Sequence, residues 1–222
     1  KDKTVAVLGM GISNIPLIKM LANAGASVTA RDISDKDKLK KELAEIKNLN
    51  VKIILGENYL ENLNEKIIFK TPGMRFDIPE LLKAKENGSI ITSEMELFFE
   101  LCPCKKIAVT GSAGKTTTTS LIAEILKKSG YKVFLGGNIG RPLLQDIEKI
   151  KTNDIVVVEL SSFQLHTMKQ SPDIAVFTNI IPNHLDKYKS MEEDIRAKEN
   201  IYLNQSENDI LVLNYDDIRV RR

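Results

Sequence analysis

Residues 107–118 read Ile-Ala-Val-Thr-Gly-Ser-Ala-Gly-Lys-Thr-Thr-Thr, an apolar strand that passes through a glycine-containing turn into a Lys-Thr helix start. Gly111 and Gly114 can adopt backbone angles that are closed to other residues, so main-chain N–H groups can approach an anion. The following helix adds the positive end of its dipole. This pattern predicts a phosphate-binding loop inside an α/β unit.

The order of residues in this loop indicates what each would do. Lys115 is expected to contact the β- and γ-phosphates of a nucleotide, and the Thr116 hydroxyl is expected to contact Mg²⁺. The strict pattern has a further glycine where this chain has Val109, so the loop is a shortened variant. The alternative is a glycine-rich turn with no ligand, which does not explain why Lys and Thr follow the second glycine.

Strands alternate with helices along the whole chain, which is typical of parallel sheets with crossover helices. The predicted strands are residues 4–8, 27–30, 51–55, 66–70, 90–91, 106–109, 132–135, 155–159 and 174–177. The predicted helices are residues 15–24, 36–49, 79–87, 94–101, 117–129 and 143–149. We therefore expect an α/β fold in which a Rossmann-like parallel-sheet domain (1–103) precedes an ATP-binding domain of the phosphate-loop type (104–222).

Composition argues against several classes of partner. The chain has 32 basic and 30 acidic residues and a net charge of +2, so it lacks the excess positive charge that binds a nucleic-acid backbone. Its Lys-rich run, residues 36–47, alternates with acidic residues and predicts a solvated helix face. No apolar run is long enough to cross a bilayer, and the chain opens on Lys1-Asp2-Lys3 instead of a signal peptide. We expect a cytoplasmic protein without membrane insertion.

The two cysteines predict neither a disulfide nor a metal site. Cys102 and Cys104 flank Pro103, too close for a comfortable disulfide, and no second pair of ligands accompanies them for structural zinc. We expect ordinary reduced thiols.

A second glycine turn, residues 9–14, follows the first predicted strand, and Asp32 closes the second strand where a ribose-binding carboxylate would lie. Asn14 takes the place of the third glycine of a dinucleotide site and is expected to loosen helix packing there. Three interpretations stay open: an NAD site, a site for another nucleotide diphosphate, or a purely structural turn. The turn at residues 70–74 also leaves a strand end and could close over the same ligand.

Four features beyond the loop have both a functional and a plain structural interpretation. Glu159 ends an apolar strand and either completes a Mg²⁺ site or is a surface acid. The polar segment 161–164 either orients a substrate or caps a helix. His184 follows another strand end and is either a ligand or structural. Lys198 has charged neighbours in a helix, which predicts a solvent-exposed side chain.

Taken together, these segments resemble the Mur ligases, the ATP-dependent amino-acid-adding enzymes of bacterial peptidoglycan synthesis. The matching segments are residues 9–13, 70–74, 93–98, 109–118, 136–140, 159–165, 183–186 and 197–202. The resemblance covers the whole chain.

The resemblance implies three sets of contacts. The first domain would hold the UDP part of a substrate through Ile12, Ser13, Asp32, Ile33, Thr71, Pro72 and Gly73. ATP would be held by Gly111, Ser112, Ala113, Gly114, Lys115, Thr116 and Thr117. Asn138 and Ser161 would contact the substrate, with Asn138 beside the γ-phosphate.

The resemblance also implies a metal site and a reaction. Thr116 and Glu159 would bind one Mg²⁺, and His184 would bind a second that is shared with a carbamylated Lys198. ATP would phosphorylate the carboxylate of UDP-N-acetylmuramoyl-L-alanine, and the amine of D-glutamate would then attack the acyl phosphate. Lys115, Glu159, His184 and Lys198 are thus the expected catalytic residues, in a protein expected to be a monomer.

Two departures from the family pattern keep alternatives open. Ala113 stands where the family usually carries Asn or Asp, and Ile181 stands where it usually carries Thr or Ser. We also expect the second domain to be incomplete at Arg222 and an amino-acid-binding third domain to be absent. The alternatives are a sister ligase that adds another amino acid, a ligase that elongates folate with glutamate, and a nucleotide-binding fragment without turnover.

Overall fold

The computed structural model describes residues 3–181 and 190–221. The chain divides into two compact units, Lys1–Leu97 and Phe98–Arg222. Each unit contains a five-stranded sheet in which the paired strands run parallel. The predicted α/β class with two parallel sheets is confirmed.

The first unit is a doubly wound sheet. Its strands are β1 (Thr4–Leu8), β2 (Ser27–Asp32), β3 (Val51–Leu55), β4 (Ile67–Phe69) and β5 (Ile90–Thr92). Its helices are α1 (Asn14–Asn23), α2 (Lys40–Ile46), α3 (Pro79–Glu86) and α4 (Glu94–Leu101), of which α4 runs on into the second unit. The strand order is β3-β2-β1-β4-β5.

The central strand β1 determines where a ligand can bind in this unit. Ala6 and Leu8 are fully buried and pack with Ile68 and Leu81 in one apolar core. The chain leaves β1 toward β2 on one side and reaches β4 on the other, so the strand order reverses at β1. Such a reversal opens a crevice at the carboxyl ends of the strands, which is where open α/β sheets bind ligands.

The second unit repeats this plan. Its strands are β6 (Lys105–Thr110), β7 (Val133–Gly137), β8 (Ile155–Glu159), β9 (Ile174–Phe177) and β10 (Ile210–Leu213). Its helices are α5 (Lys115–Lys128), α6 (Ser162–Leu165), α7 (Met191–Glu199) and a 3₁₀ helix, Leu143–Lys149. The strand order is β10-β9-β6-β8-β7, so the reversal lies at β6, directly before the glycine loop.

Three elements differ from the sequence-based expectation. The helix expected over residues 36–49 is confined to α2, because residues 36–39 form turns around Asp35, which accepts from the Lys38 N–H. Residues 143–149 form a 3₁₀ helix. Strand β10 was not predicted; it is the continuous apolar run Ile-Leu-Val-Leu, which lacks the apolar-polar alternation that marks a half-buried strand, and its four residues are all exposed.

The cysteines form no disulfide, as expected. Cys102 and Cys104 are buried free thiols whose Sγ atoms lie 3.7 Å apart. Within residues 3–181 and 190–221, none of the helices has the length and apolarity needed to span a bilayer.

Candidate functional site

The loop after β6 needs its two glycines. Gly114 has φ of +78° and is the N-cap of α5, and Gly111 has φ of +141°. A Cβ at Gly111 would overlap the Thr178 hydroxyl and lie 3.0 Å from the backbone N and O of Asn179. A larger residue at position 111 would therefore force this loop away from the chain that follows β9.

Thr178 and Asn179 hold the loop in shape. The Ser112 N–H donates to the Asn179 carbonyl at 2.9 Å, and the Ala113 N–H donates to Asn179 Oδ1 at 2.9 Å. The Thr178 hydroxyl donates to the Ala113 carbonyl at 2.8 Å. Sequence reasoning missed both residues, although their position directly after a strand of the same sheet places them at the same edge as the loop.

Lys115 folds over the loop that precedes it. Its Nζ donates to the carbonyls of Gly111 at 2.8 Å and Ser112 at 3.1 Å. The ammonium therefore lies over the glycine loop at the start of α5, where the helix dipole and the unpaired N–H groups of the first turn also favour an anion. Such an arrangement favours the binding of an anion such as a phosphate group.

Glu159 is a buried carboxylate at the end of β8, at the centre of a polar cluster with the exposed residues Thr116 and Asn138. It is 1% exposed, so the alternative of a surface acid is wrong. Its Oε2 accepts a hydrogen bond from the Thr116 hydroxyl at 2.7 Å, and its Oε1 accepts one from Asn138 Nδ2 at 2.8 Å. The structure thus brings together three residues that the sequence placed on three separate elements.

Gly137 allows the end of β7 to reach Glu159. It has φ of +100°, and a Cβ there would overlap the Glu159 carbonyl oxygen. The next residue, Asn138, donates its backbone N–H to that carbonyl at 2.8 Å, and its side chain reaches the carboxylate. The backbone bond holds the two strand ends together, and the side-chain bond orients the Asn138 amide against the Glu159 carboxylate.

The cluster fits a magnesium ion. A carboxylate and a hydroxyl are hard oxygen ligands of the kind Mg²⁺ prefers, and phosphate-loop proteins hold Mg²⁺ with a loop Ser or Thr and a strand-end carboxylate. Glu159 is buried with two neutral donors, so a cation would be its natural counter-ion. Over residues 3–181 and 190–221, no group of three His, Cys, Asp or Glu side chains forms a ready metal cage. The predicted ligand His184 lies outside the described residues.

Lys198 is buried, so the expectation of a solvent-exposed helix lysine is wrong. It is 2% exposed on α7, and its Nζ forms an ion pair with Asp194 Oδ2 one turn earlier. Burial lowers the pKa of Lys198, an effect that Asp194 opposes and the positive charge of Lys115 reinforces. A lowered pKa favours the neutral amine, which is the form that reacts with CO₂.

The reason for this burial lies in the packing of α7. Asp194, Ala197, Lys198 and Ile201 follow the spacing of one helical face, and all four are buried. The helix packs on α6, and Asn200 Nδ2 donates to the Leu165 carbonyl at 2.9 Å. Because two members of this face are charged, hydrophobic periodicity did not reveal it.

Ser161 caps a helix. Its N–H donates to Gln164 Oε1 at 3.0 Å, and its side chain accepts from the Gln164 N–H, which together form a capping box at the start of α6. The structural interpretation is therefore confirmed, and the substrate contact stays a prediction.

In the first unit, Asp32 connects two turns. Its Oδ2 accepts from the Met10 N–H at 2.6 Å, and its Oδ1 accepts from the Ser34 N–H at 2.8 Å. The carboxylate thus orders the glycine turn after β1 and the turn after β2. Contact of Asp32 with a ribose stays a prediction.

Asn14 braces the glycine turn, while its expected effect on helix packing against a pyrophosphate stays a prediction. Its side chain is buried, and Nδ2 donates to the carbonyls of Leu8 at 3.1 Å and Gly9 at 2.8 Å. The amide thereby ties the first residue of α1 to the end of β1. A glycine here would lose both bonds.

The remaining candidates surround this turn at the carboxyl edge of the first sheet. Ile12 is 80% exposed and Ile33 is 64% exposed, which leaves two large apolar side chains available to a ligand. Gly9 has φ of +87°, and a Cβ there would lie 3.2 Å from Thr71 Cβ, so the turns after β1 and β4 are close neighbours. Thr71, Pro72 and Gly73 all belong to the second of these turns.

Two family models match the chain. The model described as Mur ligase MurD-like, N-terminal domain, matches residues 3–93, and the model described as Mur ligase middle domain matches residues 109–222.

Curated relatives match over nearly the whole chain. The UDP-N-acetylmuramoylalanine–D-glutamate ligase of Acetivibrio thermocellus is 61% identical over 98% of this chain and 47% of its own length. The protein of the same name from Clostridium botulinum strain Hall is 55% identical over 98% of this chain and 48% of its own length. The chain therefore spans about half the length of these relatives.

Solved structures show the same fold. A UDP-N-acetylmuramate-alanine ligase from Thermotoga maritima matches with a TM-score of 0.54 and 23% identity, over 97% of this chain and 50% of its own. A UDP-N-acetylmuramate:L-alanyl-γ-D-glutamyl-meso-diaminopimelate ligase from Neisseria meningitides matches with a TM-score of 0.60 and 17% identity, over 100% of this chain and 74% of its own. At these identities the likeness concerns the fold.

Proposed function

The chain belongs to the Mur ligase family, and from this premise we propose that it carries the nucleotide sites of an ATP-dependent ligase. The ligase adds D-glutamate to UDP-N-acetylmuramoyl-L-alanine through an acyl phosphate. The observation that supports this best is the cluster of Thr116, Glu159 and Asn138 beside the glycine loop. A glycine turn without a ligand has no need of a buried carboxylate at that place.

In the proposal, the second domain (104–222) binds ATP. The loop amides of residues 111–117 hold the phosphates, and Lys115 exchanges its bonds to the loop carbonyls for bonds to phosphate oxygens. Asn138, held against Glu159, is positioned to donate to a group beside the γ-phosphate. Such groups act mainly by positioning the reactants and neutralising charge.

Thr116 and Glu159 would hold Mg²⁺, and the buried Lys198, as a carbamate with His184, would hold a second ion. Magnesium would neutralise negative charge on the phosphate groups while the γ-phosphoryl group is transferred. An unmodified Lys198 ammonium would repel a cation, whereas a carbamate presents anionic oxygen. The depressed pKa of Lys198 supports this modification.

The first domain (1–103) binds the UDP part of the substrate in this proposal. Ile12 and Ile33 offer apolar surface to the uracil ring, and the turns that contain Ser13 and Thr71–Gly73 face the same crevice. Asn14 fills the position where a dinucleotide site needs a glycine, which favours UDP over NAD. We propose a cytoplasmic monomer that binds neither nucleic acid nor membrane.

Trapping of the acyl phosphate would test this function. The chain is incubated with ATP, Mg²⁺, UDP-N-acetylmuramoyl-L-alanine and hydroxylamine, which converts an acyl phosphate to a stable hydroxamate. The proposal predicts hydroxamate and ADP in equal amounts, both dependent on the UDP substrate. ADP release with UDP-N-acetylmuramate but not with UDP-N-acetylmuramoyl-L-alanine would instead identify a sister ligase.

Nucleotide binding without turnover is a second candidate, because the chain spans about half the length of its curated relatives. In that case MgADP and UDP-N-acetylmuramoyl-L-alanine both bind, but no ADP is released. A ligase that elongates folate would bind neither UDP-N-acetylmuramate nor UDP-N-acetylmuramoyl-L-alanine.

A further inference from the structure

Lys70 is a buried lysine at the end of β4 that the proposed reaction does not use. It is 2% exposed, and its backbone N–H donates to the Thr92 carbonyl at 2.9 Å in continuation of the sheet. Buried lysines are rare because removing an ammonium from water is unfavourable. This one therefore requires an explanation.

The ammonium of Lys70 spans both ends of the turn that follows it. Nζ donates to the Met74 carbonyl at 3.1 Å and to the Thr71 carbonyl at 3.4 Å. The same turn is closed by the Met74 N–H, which donates to the Thr71 carbonyl at 3.1 Å. Lys70 thus sets the conformation of residues 71–74, the turn that abuts Gly9.

We propose that Lys70 is a positioning residue for the UDP substrate: it holds the Thr71–Met74 turn against the glycine turn and places a positive charge behind a site for a diphosphate. This inference rests on the function proposed above. Lys70 itself does not touch the ligand, because its Nζ is enclosed and occupied by the two carbonyls.

The electrostatic surroundings of Lys70 are consistent with that role. Burial lowers its pKa to about 8, and Glu96 on α4 is the charged neighbour whose field opposes the shift. Arg75 and Asp77, which follow the turn, pair with each other at 2.7 Å. An anionic ligand would restore the stability of the ammonium and so would bind best where Lys70 is protonated.

The lowered pKa of Lys70 implies that its charge is unfavourable for folding. A lysine whose pKa is lower in the folded than in the unfolded chain destabilises the fold while it is charged, and the penalty disappears as pH rises from the folded toward the unfolded value. A role in binding would explain why the chain keeps a buried lysine here, because residues that are unfavourable for stability occur most often at functional sites.

The test compares Lys70→Met with Lys66→Met, in which an exposed lysine at the other end of β4 is changed. Calorimetry measures the Kd of UDP-N-acetylmuramoyl-L-alanine and of MgADP, and thermal melts measure stability. Lys70→Met should raise the Kd of UDP-N-acetylmuramoyl-L-alanine about tenfold, leave the Kd of MgADP unchanged and raise Tm. Lys66→Met should change none of these.

A pH series separates positioning from a merely structural role. The Kd of the wild-type chain for the UDP substrate should rise above about pH 8, and Lys70→Met should show no such rise. If the wild-type chain binds the UDP substrate, either of two results for Lys70→Met would overturn the inference. One is an unchanged Kd for the UDP substrate, and the other is a lower Tm together with loss of MgADP binding. Failure of both the wild-type and Lys66→Met chains to bind the UDP substrate would overturn the proposed function and the inference with it.

Discussion

The Thr116 hydroxyl donates a 2.7 Å hydrogen bond to Glu159 Oε2, which joins the first turn of α5 to the end of β8. The contact links the helix that follows the glycine loop to a carboxylate 43 residues away in sequence. Since both groups are ligands that Mg²⁺ accepts, replacement of either should affect binding of the metal-nucleotide complex more than binding of the nucleotide itself.

Thr116→Val tests this link. Valine keeps the shape but removes the hydroxyl, so MgADP affinity should fall about tenfold, whereas ADP affinity in EDTA should change little. Loss of one donor to a buried carboxylate should also cost about 1–3 kcal/mol of stability. Fluorescence titration with and without metal measures both affinities, and Thr118→Val in the same helix is the control. Equal losses with and without metal would contradict a role in metal binding.

Lys115→Ala should reduce ADP affinity about 100-fold, because it removes charge-assisted contacts to the phosphates. The stability should change by less than about 1 kcal/mol, since the lysine is half-buried and bonds only to its own loop in the described residues. Lys128→Ala at the far end of α5 is the matched control. If the Lys115 variant binds ADP as tightly as that control, the phosphate-loop assignment is wrong.

Lys198 and Asp194 should be strongly coupled in stability. Lys198→Met leaves the Asp194 carboxylate buried without its counter-ion and should lower the free energy of unfolding by about 3–5 kcal/mol. Adding Asp194→Leu removes that charge and should recover most of the loss. Urea unfolding of the two single variants and the double variant gives the coupling energy. A double variant that is as unstable as the sum of the single variants would show that the pair is not coupled.

Carbon NMR tests directly whether Lys198 carries the proposed carbamate. The chain is incubated with ¹³C-bicarbonate and MgADP, and carbon NMR is used to look for a carbamate signal that Lys198→Met lacks and Lys128→Met retains. The signal should weaken as pH falls, because carbamate forms on the neutral amine, and the lowered pKa of Lys198 should let it persist below the usual range for lysine. A signal of equal strength in Lys198→Met would place the carbamate elsewhere.

The motifs that could be predicted from sequence are those whose chemistry is local. The strand, the two glycines and the Lys-Thr start of α5 are contiguous, so the glycine turn and the helix start could be predicted without tertiary information, while phosphate binding there stays a prediction. The strand alternation likewise predicts both parallel sheets, because a crossover helix between strands enforces parallel pairing.

The features that sequence reasoning missed depend on contacts between distant segments. Lys198 is buried because α7 packs on α6, and its charged face gives no hydrophobic signal. The Asn179 side chain accepts a hydrogen bond from the Ala113 N–H of the glycine loop, although the two residues are 66 positions apart in sequence. Asn14 reinforces the glycine turn through two side-chain hydrogen bonds to the Leu8 and Gly9 carbonyls, which the fingerprint pattern did not indicate.

Competition calorimetry on the 222-residue chain saturated with MgADP tests the central claim most directly. UDP-N-acetylmuramoyl-L-alanine and NAD are titrated separately, and then one against the other. The account predicts that the UDP compound binds at one site per chain, that NAD does not displace it, and that Lys115→Ala loses MgADP but keeps the UDP compound. Tighter binding of NAD than of UDP-N-acetylmuramoyl-L-alanine would contradict the account.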